Sequence, residues 1–281
     1  MKVTCCALLR LSLAIGIGTF SLNAATTVPV GAVNVPISAG LSVLNIPFQK
    51  PVEFQGTVSG VSGAEITLSG SIPALTGPHY LQVISGVDAG RIYTVDSYVD
   101  NTVTLIASPT GLAADDVVAL RAHMTLGDLS LPSGATLILL NGLSSPTIAY
   151  SIPSGWTQPV DTVIQPGEAV IVNSSVATDL LLYGTVSVDD VIIETNGGLS
   201  AIGSLDPVYG SELVLDNLIN GGLDAGTVLI ELVPGSSPIN YTKIPTGWIP
   251  DPSTIDVTDY KSFLLSSSLP LDIVLEGNTV N

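Results

Sequence analysis

Short apolar-rich runs, separated by turn-forming residues, recur along the chain after residue 24. Typical runs are 65–69, 102–106 and 168–173, which are rich in Val, Ile, Leu and Thr. Gly, Pro, Asn, Asp and Ser interrupt them about every 8 to 12 residues, a spacing typical of β-proteins. Helices of ordinary length do not fit between these interruptions. The pattern therefore predicts an all-β protein.

A repeat of constant spacing divides this pattern into two units. Gly134-Ala-Thr-Leu-Ile-Leu-Leu140 matches Gly226-Thr-Val-Leu-Ile-Glu-Leu232, and Ile152-Pro-Ser-Gly-Trp156 matches Ile244-Pro-Thr-Gly-Trp248, each pair 92 residues apart. Each unit has enough strands for two packed layers. We expect tandem-duplicated β-sandwich-like units. The first is expected to be discontinuous, with residues 25–53 and 123–183, and the second to span 184–281.

The segment 54–122 has no counterpart in the second unit. It contains about six strand-like runs with turn signals at 88–90 and 100–101. Six short strands in so little chain suit a small barrel, because closure removes exposed strand edges. We expect a small β-barrel-like module inserted in the first unit.

The first 24 residues have the pattern of a signal peptide. Lys2 and Arg10 precede the apolar run 11–20, and Ala24 is a small residue suited to cleavage. We expect the protein to be exported and to be periplasmic, cell-surface or extracellular. The apolar run is too short for a transmembrane anchor, so no membrane span is expected after cleavage.

Charge and cysteine content limit the partners and the kinds of site that the chain can have. The chain carries 24 acidic and 7 basic residues, a formal net charge of −17, which excludes nucleic acid as an expected partner. Cleavage after residue 24 removes two of the basic residues, which leaves 5 against 24 and a charge of −19. It also removes Cys5 and Cys6, so disulfides and thiolate sites are not expected. Hydrophobic residues make up 46% of the chain, enough to build a core.

Four motifs together resemble those of an uncharacterised family of exported verrucomicrobial β-rich proteins. They are Gly77-Pro-His-Tyr-Leu81, Gly86-Val-Asp-Ala-Gly-Arg-Ile92, Arg121-Ala-His-Met-Thr-Leu126 and Gln165-Pro-Gly-Glu-Ala-Val-Ile-Val172. The resemblance implies export and β structure, with no established activity and no catalytic residue to carry over. In the second unit, Lys261-Ser-Phe-Leu-Leu265 replaces the motif that contains Glu168.

Two pairs of residues are weak site candidates. Trp156 and Trp248 occupy equivalent places in the two units and are expected to be packing anchors rather than sugar-stacking platforms. His79 and His123 are the only histidines. With Asp96 or Asp128 they would form a metal site, but their spacing is not that of metal ligands, and hydrogen bonding at strand junctions is the favoured role.

No catalytic constellation stands out, so no catalytic residue and no cofactor are expected. A Gly-x-Ser-x-Gly elbow is lacking. Carboxylate pairs for glycoside hydrolysis remain open, with Glu53, Glu168, Glu194 and Glu231 as candidates, although these are expected to be exposed strand or turn residues. We expect a non-enzymatic exported protein with a binding or structural role at the envelope or outside the cell. A glycan, an envelope protein or a second copy would be its partner, and an extracellular polysaccharide hydrolase is the alternative.

Overall fold

The computed structural model describes residues 30–205, 207, 218, 223–233, 236–255 and 262–277. Its first three strands are β1 (Val30–Ile37), β2 (Gly40–Leu44) and β3 (Phe48–Gln49). Six follow: β4 (Val52–Ser62), β5 (Glu65–Leu68), β6 (His79–Val83), β7 (Ile92–Val99), β8 (Thr102–Leu105) and β9 (Val117–Ala122). The predicted signal segment 1–24 lies outside the described residues.

Fourteen further strands complete the described chain. The next seven are β10 (Met124–Thr125), β11 (Thr136–Leu139), β12 (Thr147–Ile152), β13 (Gly155–Trp156), β14 (Val163–Ile164), β15 (Val170–Ser174) and β16 (Thr178–Val186). The last seven are β17 (Val191–Thr195), β18 (Gly198–Ile202), β19 (Val228–Glu231), β20 (Ile239–Ile244), β21 (Gly247–Ile249), β22 (Phe263–Ser267) and β23 (Leu271–Leu275). Short 3-10 turns lie at Leu126–Asp128 and Pro252–Thr254. The predicted all-β class is confirmed.

Alternation of burial explains why these segments form strands. Along β1, the side chains of Val33, Val35 and Ile37 are buried, whereas the residues between them face solvent. Successive side chains of a strand point to opposite faces, so this period of two commits one face to a core.

The first unit has two packed layers. Five strands form a sheet in the order β13-β12-β11-β15-β2, and three form a second in the order β1-β16-β3. Their inner faces share one apolar core that includes Val35, Leu137, Val172 and Leu182. The layers therefore form the sandwich-like unit expected from the sequence.

The second unit has the same strand order. Its five-stranded sheet runs β21-β20-β19-β22-β18, and β17 pairs with β23 as β1 pairs with β16. The register is also equivalent, since Thr136 pairs with Tyr150 in the first unit and Val228 pairs with Thr242, each 92 residues later, in the second. A separate core surrounds Leu229 and Phe263.

The segment between the two parts of the first unit folds as a closed six-stranded barrel in the order β4-β5-β8-β7-β6-β9. Three breaks of register occur around it, one of them between Val58 and Gly60 on β4. Such bulges increase local bend and twist, which helps a short sheet to close. The barrel has a core of its own that includes Ile66, Leu81 and Leu120.

Strand pairing does not follow the predicted boundaries to the residue. β16 continues to Val186, and its Gly184 and Thr185 pair with Gly31 and Val30, so the first unit extends beyond residue 183. The barrel begins at Val52, which pairs with Arg121, rather than at residue 54. The cause is that one boundary was placed on a glycine and the other where the repeat loses its counterpart, whereas strands end where their partners end. Independent folding of each domain stays a prediction.

The two units face each other through their five-stranded sheets. Ile171 and Ala169 of the first unit and Ala201 and Leu264 of the second form a small shared apolar layer. The barrel reaches the second unit through its β6–β7 turn, where the backbone N–H of Ile192 donates to the Gly90 carbonyl over 2.8 Å. The first unit, the barrel and the second unit thus meet near the start of the second unit.

Candidate binding cleft

A cleft of about 340 Å³ opens between the first and second units, within the ~300–1,000 Å³ typical of ligand pockets. An adjoining depression of about 240 Å³ shares four of its residues and adds Arg91 from the barrel. Polar side chains line much of the cleft: Asn141, Ser144, Gln165, Glu168, Glu194, Thr195, Asn196 and Ser200. The first unit, the second unit and the barrel all contribute to this composite depression.

A tight loop between β14 and β15 positions Glu168. The backbone N–H of Gln165 donates to the Glu168 carboxylate at 3.1 Å, and the Glu168 N–H donates back to the Gln165 carbonyl at 3.0 Å. The loop is also held to the second unit, because Ala169 N–H donates to the Ala201 carbonyl and Gly203 N–H to the Gly167 carbonyl. Glu168 is therefore presented by a constrained backbone.

Gly167 makes this loop conformation accessible. Its φ is +76°, in the left-handed region that favours glycine. A Cβ at this position would overlap Leu275 Cδ1 and lie 2.9 Å from Ile193 Cδ1, both from the second unit. The close approach of the two units thus requires glycine here.

Burial dominates the electrostatics of Glu168. Loss of hydration raises the pKa of this carboxyl to about 7, although the hydrogen bond from Gln165 opposes the shift. No Lys or Arg among the described residues forms an ion pair with it. Near neutral pH both protonation states are populated, so Glu168 can donate or accept a hydrogen bond. Glu168 lies in a turn as expected, but its side chain is half-buried rather than exposed, because the second unit covers its loop.

Arg91 connects the barrel to the edge of the cleft. Its guanidinium forms ion pairs with Glu194 on β17 and with Asp272 on β23, the latter at 2.6 Å, and its Nε lies 3.6 Å from Asp88 of its own turn. The hydrogen bond to Asp272 raises the pKa of Arg91 further, so it stays a cation. This network fixes Glu194, whose side chain is 63% exposed, at the cleft edge.

The tryptophans lie elsewhere. Trp156 on β13 and Trp248 on β21 are half-buried and pack against the cores of their own units. Lys243 Nζ lies 5.2 Å from the Trp248 ring centroid, a cation–π contact. Within the described part of the chain, neither tryptophan lines the cleft. A ligand-binding role for either one stays a prediction.

His79 begins the barrel strand β6, and His123 directly follows the neighbouring barrel strand β9. His79 is buried, with Nδ1 2.9 Å from the Gly77 carbonyl oxygen and Nε2 3.2 Å from a Glu53 carboxylate oxygen. The His123 ring is buried against Tyr80, with centroids 4.8 Å apart. Burial, and secondarily the nearby His79, lowers the pKa of His123 to about 4.

A cavity of about 440 Å³ at the barrel end is lined by both His79 and Asp96. His79 has a hydrogen-bonding neighbour at each ring nitrogen, so it offers no free nitrogen to a metal ion. In the described residues, no group of three or more His, Cys, Asp or Glu is placed to hold a metal. Asp128, the other suggested ligand, pairs with Lys50. The cleft therefore remains the better candidate site.

Two of the four candidate glutamates, Glu168 and Glu194, share the cleft, which sequence spacing alone does not indicate. Glu53 instead contacts His79, and Glu231 accepts a hydrogen bond from the Tyr241 hydroxyl at 3.0 Å. Sequence analysis missed Arg91 as a site residue. Arg91 and Glu168 nevertheless both lie in motifs that the sequence analysis singled out, and these motifs could have pointed to the site. For Arg91 the motif is Gly86-Val-Asp-Ala-Gly-Arg-Ile92.

No helix formed by the described residues has the length and apolar character needed to cross a bilayer. Comparisons with protein-family models, curated proteins and solved structures find no match to this chain. The resemblance to exported verrucomicrobial proteins therefore stays a prediction.

Proposed function

We propose that this chain is an exported, non-catalytic binding protein of the cell envelope or the extracellular space, and that the cleft binds a hydroxyl-rich ligand such as an oligosaccharide. The observation that carries the proposal is the cleft lining, which combines the side-chain amides of Asn141, Gln165 and Asn196 with hydroxyls and carboxylates. Amides both donate and accept hydrogen bonds, as sugar hydroxyls do. Signal-peptide cleavage after Ala24 and export are part of the same proposal.

Recognition in this cleft would depend on hydrogen bonds rather than on stacking. None of its described lining residues is aromatic. A rigid loop around Glu168 and the fixed Arg91–Glu194 pair present polar groups with little ordering cost, which favours binding. We expect modest affinity and marked sensitivity to loss of any single amide.

Duplication of the sandwich unit is part of this proposal, because a face-to-face pair of related units creates the cleft. The outer face of the first unit offers a second contact surface. Leu181 and Tyr183 on β16 are 58% and 71% exposed. An envelope protein or a second copy of the chain would pack on such side chains.

The experiment is a glycan array probed with purified residues 25–281, followed by calorimetric titration of each hit and a turnover assay on the same glycans. Saturable binding without turnover is the expected result. An array with no hits, and no titratable oligosaccharide, would contradict glycan binding.

A second candidate function is hydrolysis of a polysaccharide. The observation in its favour is that Glu168, partly protonated at neutral pH, shares the cleft with the ion-paired Glu194. Glycoside hydrolases pair a proton-donating carboxyl group with a carboxylate. Release of reducing ends by the wild-type chain, abolished in Glu168→Gln, would establish this function in place of the non-catalytic one.

A further inference from the structure

The cleft holds two carboxylates with unequal partners. Glu194 shares the Arg91 guanidinium with Asp272, whereas Glu168 accepts one backbone hydrogen bond and, among the described residues, pairs with no cation. Three amides and three hydroxyls complete the polar lining. Glu168 is thus the cleft carboxyl group that has no cationic partner when it ionises.

Arg91 is not available to a ligand. Its guanidinium already contacts Glu194 and Asp272, and Asp88 lies close to its Nε. An anionic ligand would therefore meet carboxylates without a free cation, in a chain whose formal net charge is −17. Such a ligand would be repelled both in the cleft and during approach.

We propose that the ligand of this cleft carries a protonated amine among its hydroxyl groups, as an oligomer of an amino sugar does, and that the ammonium pairs with Glu168. The inference rests on the proposed function, because it specifies the chemistry of the hydroxyl-rich ligand. The amides and hydroxyls bind the sugar hydroxyls, and Glu168 selects the amine.

The electrostatics of Glu168 agree with this assignment. A carboxylate in a covered site is costly to ionise, which is why the pKa of Glu168 rises to about 7. An ammonium group within ~4–6 Å favours the charged carboxylate and lowers its pKa again. The ligand would thus compensate the charge that burial disfavours, and a charge-assisted hydrogen bond would form.

The test compares a glucosamine trimer with its fully N-acetylated counterpart by calorimetric titration at pH 7, near the pKa of Glu168, where both the carboxylate and the protonated amine are populated. Acetylation removes the charge and retains the ring hydroxyls. We expect the glucosamine trimer to bind at least tenfold more tightly, with a preference that declines as salt screens the ion pair. A galacturonate trimer should bind most weakly.

Glu168→Gln is the decisive variant, and Glu65→Gln, at an exposed position on β5 away from the cleft, is the control. Glutamine keeps the shape and an acceptor oxygen, so Glu168→Gln should bind both trimers with nearly equal affinity, while the control retains the tenfold preference. If Glu168 had a merely structural role, Glu168→Gln would weaken the binding of both trimers by the same factor, and this result would overturn the proposal.

Equal affinity of wild type for the two trimers would also overturn the amine assignment but leave glycan binding intact. If neither trimer binds and the array gives no hits, the proposed function itself fails.

Discussion

The two sandwich units have the same strand order and equivalent pairing registers, yet they contribute differently to the candidate site. Buried positions correspond closely: Leu137 and Leu229 are both fully buried, and Val33 on β1 has its equivalent in Val191 on β17. Each unit therefore has its own core, built from equivalent positions. This equivalence follows from the alternation of apolar residues that the units have in common.

The cleft residues do not correspond in this way. Asn141 occupies the position that Val233 has in the second unit, and Glu194 occupies the position that Pro36 has in the first. Because the units face each other, each contributes residues from a different part of its surface to the cleft. The comparison teaches that recurring positions build the fold, whereas non-recurring positions build the site.

The largest expected effect comes from substitutions at equivalent core positions of the two units. Leu137→Ala and Leu229→Ala each remove a fully buried side chain, and each should cost about 2–5 kcal/mol of unfolding free energy. Urea denaturation would measure both, with Leu181→Ala on an exposed face as the control that should change stability by less than about 0.5 kcal/mol. A large penalty in one unit and none in the other would break the equivalence of the cores.

Gly167→Ala tests the contact that joins the units. The added Cβ would overlap Leu275 and force an unfavourable φ, so we expect a loss of about 1–3 kcal/mol. Calorimetric melting gives the stability, and titration with an array hit should show weakened binding. Gly40→Ala, also at positive φ but with no atom near its Cβ, separates backbone strain from overlap. Equal losses in both variants would refute the overlap.

Arg91→Gln tests how the barrel is attached to the second unit. It removes the ion pairs with Glu194 and Asp272, which should cost about 1 kcal/mol because the network is partly exposed. We expect faster hydrogen exchange at Ile192, whose N–H bonds the barrel's Gly90. Lys50→Gln, which breaks a pair with Asp128 instead, should leave that exchange unchanged. Unchanged exchange in Arg91→Gln would contradict a role of the network in docking.

The smallest effect is expected at the end of the barrel, where the His123 ring packs against Tyr80 of β6. The pKa of His123 is about 4 in the folded state, below its ordinary value of 6.5. As the pH falls, His123 takes up a proton in the unfolded chain before it does so in the folded protein. The contribution of neutral His123 to the free energy of unfolding is therefore fully present above pH 6.5 and is lost as the pH falls towards 4. His123→Phe should melt at a less pH-dependent temperature than wild type in this window. Parallel pH profiles would contradict a buried, neutral His123.

The fold was largely accessible from sequence because its signals are local. The period-two alternation around Val33 and Val35 depends only on neighbouring residues, and the six runs of the insert predicted the barrel strands in the same way. The 92-residue offset appears when two segments of the sequence are compared directly, without knowledge of their contacts. The expected boundaries after residues 53 and 183 differ from the observed strand ends at Val52 and Val186, because strand ends depend on distant partners.

The candidate site was accessible only in part because it is assembled by packing between bodies. Glu168 and Glu194 appeared among the four candidate glutamates, but their shared cleft depends on how two sheets face each other. Burial of Glu168 likewise comes from the second unit. No spacing rule connects Arg91 with Asp272, which lies 181 residues later.

The most direct test of the central claim is the dissociation constant of the strongest array hit for Asn196→Ala and Asn34→Ala. Both asparagines are exposed, but Asn196 lines the cleft and Asn34 lies on the outer face of β1. We predict at least tenfold weaker binding for Asn196→Ala, unchanged binding for Asn34→Ala and equal melting temperatures. Wild-type affinity in Asn196→Ala would contradict the assignment of this cleft as the binding site.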